Sequence, residues 1–191
     1  IAAMGGRERL SAVRTTESVA VVEDGPIRYR VRVQVLLPDA YRDEVETEEA
    51  RFVRVWRDGK GFGALDGLPF ELSAEETAAL RDSLRLTSLS LLVDVDHAHG
   101  AEVKELAPKD GCERLEVRYA AEPKGPYELC FDAATARLKS VRFASTFIGR
   151  PGRLPARLEL DDWRPVEGGV FGAFAAKLFI DDDVAPASVT K

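Results

Sequence analysis

Basic residues are in deficit. Against 33 aspartates and glutamates the 191-residue chain sets 27 lysines and arginines, a formal charge of −6 with a sequence pI of about 5.1. That balance argues against a nucleic-acid or anionic-membrane binder, whose electrostatic footprint is basic. Long apolar runs are missing: the longest mostly apolar stretch, residues 169–180, is interrupted by Lys177 and falls short of the roughly 18 residues a membrane helix needs. Two cysteines, Cys112 and Cys130, are too few for a disulfide framework and lack metal-ligand spacing. There is no GxSxG nucleophile elbow, no internal repeat and no low-complexity tract. The first residue is Ile1 rather than Met, which predicts that an upstream segment, such as an export leader, has been removed.

What remains is an ordinary globular balance, 45% hydrophobic and 31% charged. A chain of this size buries roughly 70% of its unfolded surface, enough for a core without staples. We read residues 1–181 as one domain. Residues 182–191, with their aspartates, Pro186 and small side chains, read as a frayed tail or linker.

Strand periodicity dominates. In residues 27–37 the odd positions are Ile27, Tyr29, Val31, Val33, Val35 and Leu37, and the even ones begin Arg28, Arg30, Arg32 and Gln34. Such alternation predicts an antiparallel strand with one dry and one wet face. A hairpin closed around residue 39 sets Gln34, Arg32 and Arg30 opposite Glu44, Glu46 and Glu48, and Val33 opposite Val45. The arginine comb is then paired surface charge rather than a nucleic-acid site. Asp58-Gly59 predicts a tight turn within residues 50–65, with Val55 across from Phe62. Ser73 and Glu76 make a capping box for a helix whose apolar stripe is Ala79, Leu80 and Leu84; residues 88–93 read as a second, more buried helix. Further strands follow near residues 115–119, 127–131, 138–147 and 154–166, and a last one ends at Ile180.

The whole is mainly β (α+β): about ten strands in a single curved antiparallel sheet, forming an incomplete β-barrel with helices covering the open face. The dry faces supply more apolar side chains than the helices can cover, which predicts an apolar hollow.

Catalytic and metal chemistry have weak candidates. Asp94, Asp96, His97 and His99 have ligand chemistry, yet no distant Cys/His motif supports them, and a polar loop closing a helix is the preferred reading. Glu113 sits on a dry parity but at a strand start, which makes it a rim residue. Trp163 falls on the polar parity beside Asp161, at an edge. With Val117 set opposite Leu129, Cys112 and Cys130 stand four residues out of register, which predicts free thiols; a shorter loop would instead set Cys112 opposite Cys130. We expect no enzyme activity, no metal and no cofactor.

Several segments then combine: Met4-Gly-Gly-Arg-Glu-Arg-Leu-Ser-Ala-Val13, Leu37-Pro-Asp-Ala-Tyr41, Val55-Trp-Arg-Asp-Gly59, Leu72-Ser-Ala-Glu-Glu running to Leu89-Ser-Leu-Leu92, and Tyr127-Glu-Leu-Cys-Phe131-Asp-Ala-Ala-Thr135-Ala-Arg-Leu138. Together they resemble the LolA-like, outer-membrane lipoprotein-sorting family of the bacterial periplasm. The resemblance implies a half-barrel whose greasy interior, lidded by helices, holds acyl chains of lipoproteins or other lipids. It also implies a periplasmic location, with tethering to a membrane through the missing N-terminus as one form of it. The interior would be lined by Val33, Val55, Leu115, Val117, Leu129, Phe131, Val141, Phe143, Leu158 and Leu160, under a lid of Leu80, Leu84, Leu89 and Leu92. The alternative on the same scaffold is a sensor or protein-interaction module whose partners are inner- or outer-membrane envelope proteins.

Overall fold

Alternation of polar and apolar residues turns most of the chain into antiparallel strand. The computed structural model describes residues 2–37, 39–87, 91–92, 101–119, 125–146, 152–180 and 187–190. A short helix α1 (Arg7–Ala12) precedes six strands in hairpin succession: β1 (Thr15–Asp24), β2 (Ile27–Leu36), β3 (Ala40–Glu46), β4 (Arg51–Arg57), β5 (Lys60–Leu65) and β6 (Leu68–Glu71). Helix α2 (Ala74–Leu86) comes next. A second meander follows, of β7 (Ala101–Lys109), β8 (Cys112–Tyr119), β9 (Tyr127–Asp132), β10 (Leu138–Thr146), β11 (Arg153–Pro165) and β12 (Phe171–Ile180), and the last strand is β13 (Ala187–Thr190).

The strand order is β6-β5-β4-β3-β2-β1-β13-β12-β11-β10-β9-β8-β7, antiparallel throughout. β13 joins the two meanders, with Val21 opposite Thr190 on one side and Ala175 opposite Thr190 on the other. Residues 187–190, expected in a frayed tail, are therefore a strand: both neighbours offer open ladder positions to it. Among the described residues β6 and β7 end the order without pairing to each other, so the strands form no closed barrel.

Two registers differ from expectation by two residues. Arg32 faces Glu44, Arg30 faces Glu46, and Val33 faces Asp43 rather than Val45. On β8 and β9, Leu115 rather than Val117 faces Leu129. A two-residue shift leaves every side chain on its own face, so alternation alone cannot choose between such registers. The second shift sets Arg114 opposite Cys130 and brings Cys112 diagonally to Cys130, with Cα atoms 5.3 Å apart and a disulfide between them. The expectation of free thiols is thus corrected. The Asp58-Gly59 turn, with both residues at positive φ, does fix Val55 opposite Phe62.

Helix α2 starts at the expected capping box: Ser73 Oγ accepts from the Glu76 N–H at 3.1 Å, and the Glu76 carboxylate accepts from the Ser73 N–H at 2.8 Å. Those bonds hold the Glu76 carboxyl below the usual carboxylate range. The helix packs against β3, β4 and β5 and also against β10. Six ladder steps separate β3 from β10, about 29 Å in a flat sheet, whereas a helix is about 10–12 Å across. The two meanders must turn toward each other around α2.

The segment around α1 builds a separate cluster. Met4 and Leu10 are buried with Leu92 and Val170. Gly5 takes φ 110°, and a Cβ there would meet the Gly169 carbonyl oxygen at 2.7 Å. Only glycine permits that approach. Trp163 is corrected too: Asp162, at φ 52°, turns the strand so that the indole returns to the core and donates from Nε1 to the Leu138 carbonyl at 3.1 Å.

Candidate apolar binding face

The inner face is the side of the strands that meets α2. On the first meander, Val35, Tyr41 and Trp56 pack with Leu80 and Leu84 of the helix. Ladder partners share a face, so the rows of that face can be read from the register. The row beneath the helix is Thr16–Val35–Tyr41–Trp56–Gly61, and the next is Ser18–Val33–Asp43–Arg54–Gly63–Phe70. Beyond it runs Ala20–Val31–Val45–Phe52–Leu65–Leu68, apolar across six strands.

Helix α2 covers the first row, and Asp43 and Val33 of the next are still sheltered. Gly61 lies directly under Thr77 and Leu72, while Phe52, Leu65 and Phe70 remain 38% exposed and Leu68 remains 74% exposed. This outer row spans five strand spacings, about 24 Å. An acyl chain reaches about 15 Å, half the hydrocarbon core of a bilayer.

A buried ion pair bounds the row on the helix side. Asp43, only 4% exposed, accepts from Arg54 Nε at 2.9 Å and Nη2 at 2.7 Å, a parallel two-bond fork. Burial alone would lower the Arg54 guanidinium; hydrogen bonds and charge from Asp43 outweigh it and hold Arg54 above its ordinary value. Burial, with the Asp43 charge adding to it, pushes the neighbouring Tyr41 hydroxyl well up. Among the described side chains of β1–β6 on this face, Asp43 and Arg54 are the only charged ones. Asp43 is thus a carboxylate buried on an otherwise apolar face.

A second buried carboxylate anchors the helix to the other meander. Asp82 of α2 accepts from Ser145 Oγ of β10 at 3.0 Å and from Arg153 Nη1 of β11 at 3.0 Å. Arg153 also donates to the Ala144 carbonyl. The helix is thus held to β10–β11 by charge and to β2–β4 by apolar contact.

No protein-family model matches the chain, and no curated protein does. Solved structures match over nearly its whole length. A putative outer membrane lipoprotein-sorting protein domain from Vibrio parahaemolyticus superposes with TM-score 0.57 at 9% identity, covering 92% of this chain and 81% of that one. A LolA superfamily protein from Nitrosomonas europaea gives 0.58 at 13%, covering 95% and 87%. A DUF1329 family protein from Desulfovibrio piger gives 0.56 at 10%, covering 96% and 85%. The fold is LolA-like. At such identities the likeness reaches no further than the fold.

The LolA-like scaffold brings together only part of the lining expected from sequence. Val117, Leu129, Val141, Phe143 and Leu160 are buried in one cluster of the second meander, with Leu115, Phe131 and Leu158 packed against it and Leu91 among them. Val33 lies on the inner face of the first meander, beside Asp43. Val55 lies on the opposite face, between Arg42 and Phe62. Of the lid residues, Leu80 and Leu84 pack on Val35 and Tyr41, and Leu92 packs on Met4 and Leu10. Leu89 and the Asp94, Asp96, His97, His99 cluster lie outside the described residues. Glu113 is exposed. The row Val31–Val45–Phe52–Leu65–Leu68 and the Asp43–Arg54 pair were not among the expected site residues. Their signal was available, since the Asp-Gly turn that pairs Val55 with Phe62 also pairs Phe52 with Leu65.

Proposed function

We propose that this protein binds acyl chains of lipoproteins or other lipids without performing chemistry on them, in the bacterial envelope. The two meanders form an incomplete barrel around α2, and the occupied part of its interior is the uncovered row of the first meander. The single observation that carries this reading is that inner-face row: apolar across six strands, with Phe52, Leu65 and Leu68 left open to solvent. Each CH₂ moved from water onto it contributes about 0.8 kcal/mol. The LolA-like fold supports the reading, and the disulfide between Cys112 and Cys130 fits an oxidising, exported location such as the periplasm. Leu80 and Leu84 of α2, packed on Val35 and Tyr41, form the covered border beside that open row. The residues of β8–β11 expected to line the interior form a packed cluster of the second meander.

Titration with a pyrene-labelled monoacylglycerol tests the proposal. Saturable uptake is expected, abolished by Phe52→Glu with the melting temperature retained. Unchanged uptake in the folded variant would place the ligand elsewhere. Native mass spectrometry of protein taken from cells separates the carrier from a sensor or interaction module: co-purifying lipid supports the carrier, and a lipid-free complex with an envelope protein supports the module.

A further inference from the structure

We infer that the Asp43–Arg54 pair makes the site select neutral acyl esters and amides over free fatty acids. The inference rests on the acyl-binding reading above and adds to it the chemical class of the ligand's polar group. Arg54 stands one row from the uncovered apolar row, on the same face, with Phe52 on its own strand and Phe70 lying over Gly63, its ladder partner. A lone arginine in that position would be a carboxylate receptor. Here its Nε and Nη2 are committed to the two oxygens of Asp43 at 2.9 and 2.7 Å, and Asp43 is 4% exposed.

The charge of Arg54, whose side chain is 22% exposed, is therefore countered by a buried carboxylate. The other carboxylate acting on Arg54, Glu76, is itself engaged by Ser73 in the helix cap. No other charged side chain is described on that face of β1–β6. An ionised fatty acid laid on the row would give up hydration and meet no free counter-charge, while the nearby Asp43 repels it. An ester or amide carries no charge to desolvate, and its carbonyl can accept from a donor without displacing Asp43. Asp43 thus works by exclusion, denying acids a site that fits their tails.

The test is competition against the pyrene-labelled monoacylglycerol by myristic acid and by methyl myristate, at neutral pH. The wild-type protein is expected to prefer the ester by about tenfold or more. Asp43→Asn frees Arg54, and the ratio of acid to ester affinity is expected to rise about tenfold. The double variant D43N/R54Q, with neither charge, should lose that gain in the ratio. Should Asp43→Asn fail to fold, the wild-type ratio and the double variant decide. Equal affinity of wild type for acid and ester overturns the selectivity while leaving acyl binding in place, as does a ratio unmoved by Asp43→Asn in folded protein. Binding of neither ligand overturns the acyl reading and this inference with it.

Discussion

On β8, β9 and β10 the inner-face residues Val117, Leu129 and Val141 are fully buried with Leu91, and Leu86 packs against them. On β4, β5 and β6 the inner-face residues Phe52, Leu65 and Leu68 meet solvent. Both meanders carry apolar side chains on the same side of an antiparallel ladder, and they differ in what lies over them. Helix α2 starts over Gly61 at the β4–β5 end, and its later residues Asp82 and Leu86 reach the second meander. It runs from one meander to the other and leaves Phe52, Leu65 and Leu68 of the first open. Site and core are made of the same residue types, and the path of one helix decides which is which.

The largest expected effect comes from breaking the tie that sets that path. Asp82→Ala leaves Arg153 without its buried partner and should cost about 3–5 kcal/mol in urea denaturation. A loss below about 1 kcal/mol would show that α2 is not anchored to β10–β11. Next, Leu129→Ala should destabilise by about 2–5 kcal/mol, whereas Leu65→Ala, already half in water, should cost less than about 1 kcal/mol. Equal costs would erase the distinction between filled and open halves. Removing the disulfide with paired Cys→Ser changes at Cys112 and Cys130 should cost about 2–4 kcal/mol. Uptake on the first meander should survive that change wherever the protein remains folded.

The smallest effect concerns the cap of α2. Ser73→Ala should cost about 1 kcal/mol at neutral pH. Glu76 is held below its ordinary value of 4.5, so its contribution is present above that pH and is lost as pH falls through the lower, folded value. Melting temperatures measured from pH 6 downward should fall below about pH 4.5, and by less in the Ser73→Ala protein. An equal fall in both would separate the cap from the acid response.

Much of the fold was legible in sequence because alternation, the Asp-Gly turn and the capping box are local signals. The strands from Ile27 to Leu65, the start of α2 and the Val55–Phe62 pair all follow from them. Register was less legible: two-residue shifts preserve faces, which hid both the Arg32–Glu44 pairing and the disulfide. Strand β4 is apolar on both parities, Phe52 and Trp56 against Val53 and Val55, so its inner side is set by Arg54 meeting Asp43. Reading charge as surface hid that pair and Asp82. β7 escaped notice because, at the edge of the ladder, it is exposed over most of its length. The expected lining fell mainly on the second meander because sequence gives the number of apolar side chains without the direction of the helix that covers them.

The location of the ligand is best settled by photo-crosslinking. A diazirine-bearing monoacylglycerol, irradiated on the protein and mapped by peptide mass spectrometry, should label β2–β6 around Val31, Val45, Phe52, Leu65 and Leu68. Adducts confined to β8–β11, around Leu129 and Val141, would contradict the proposed site.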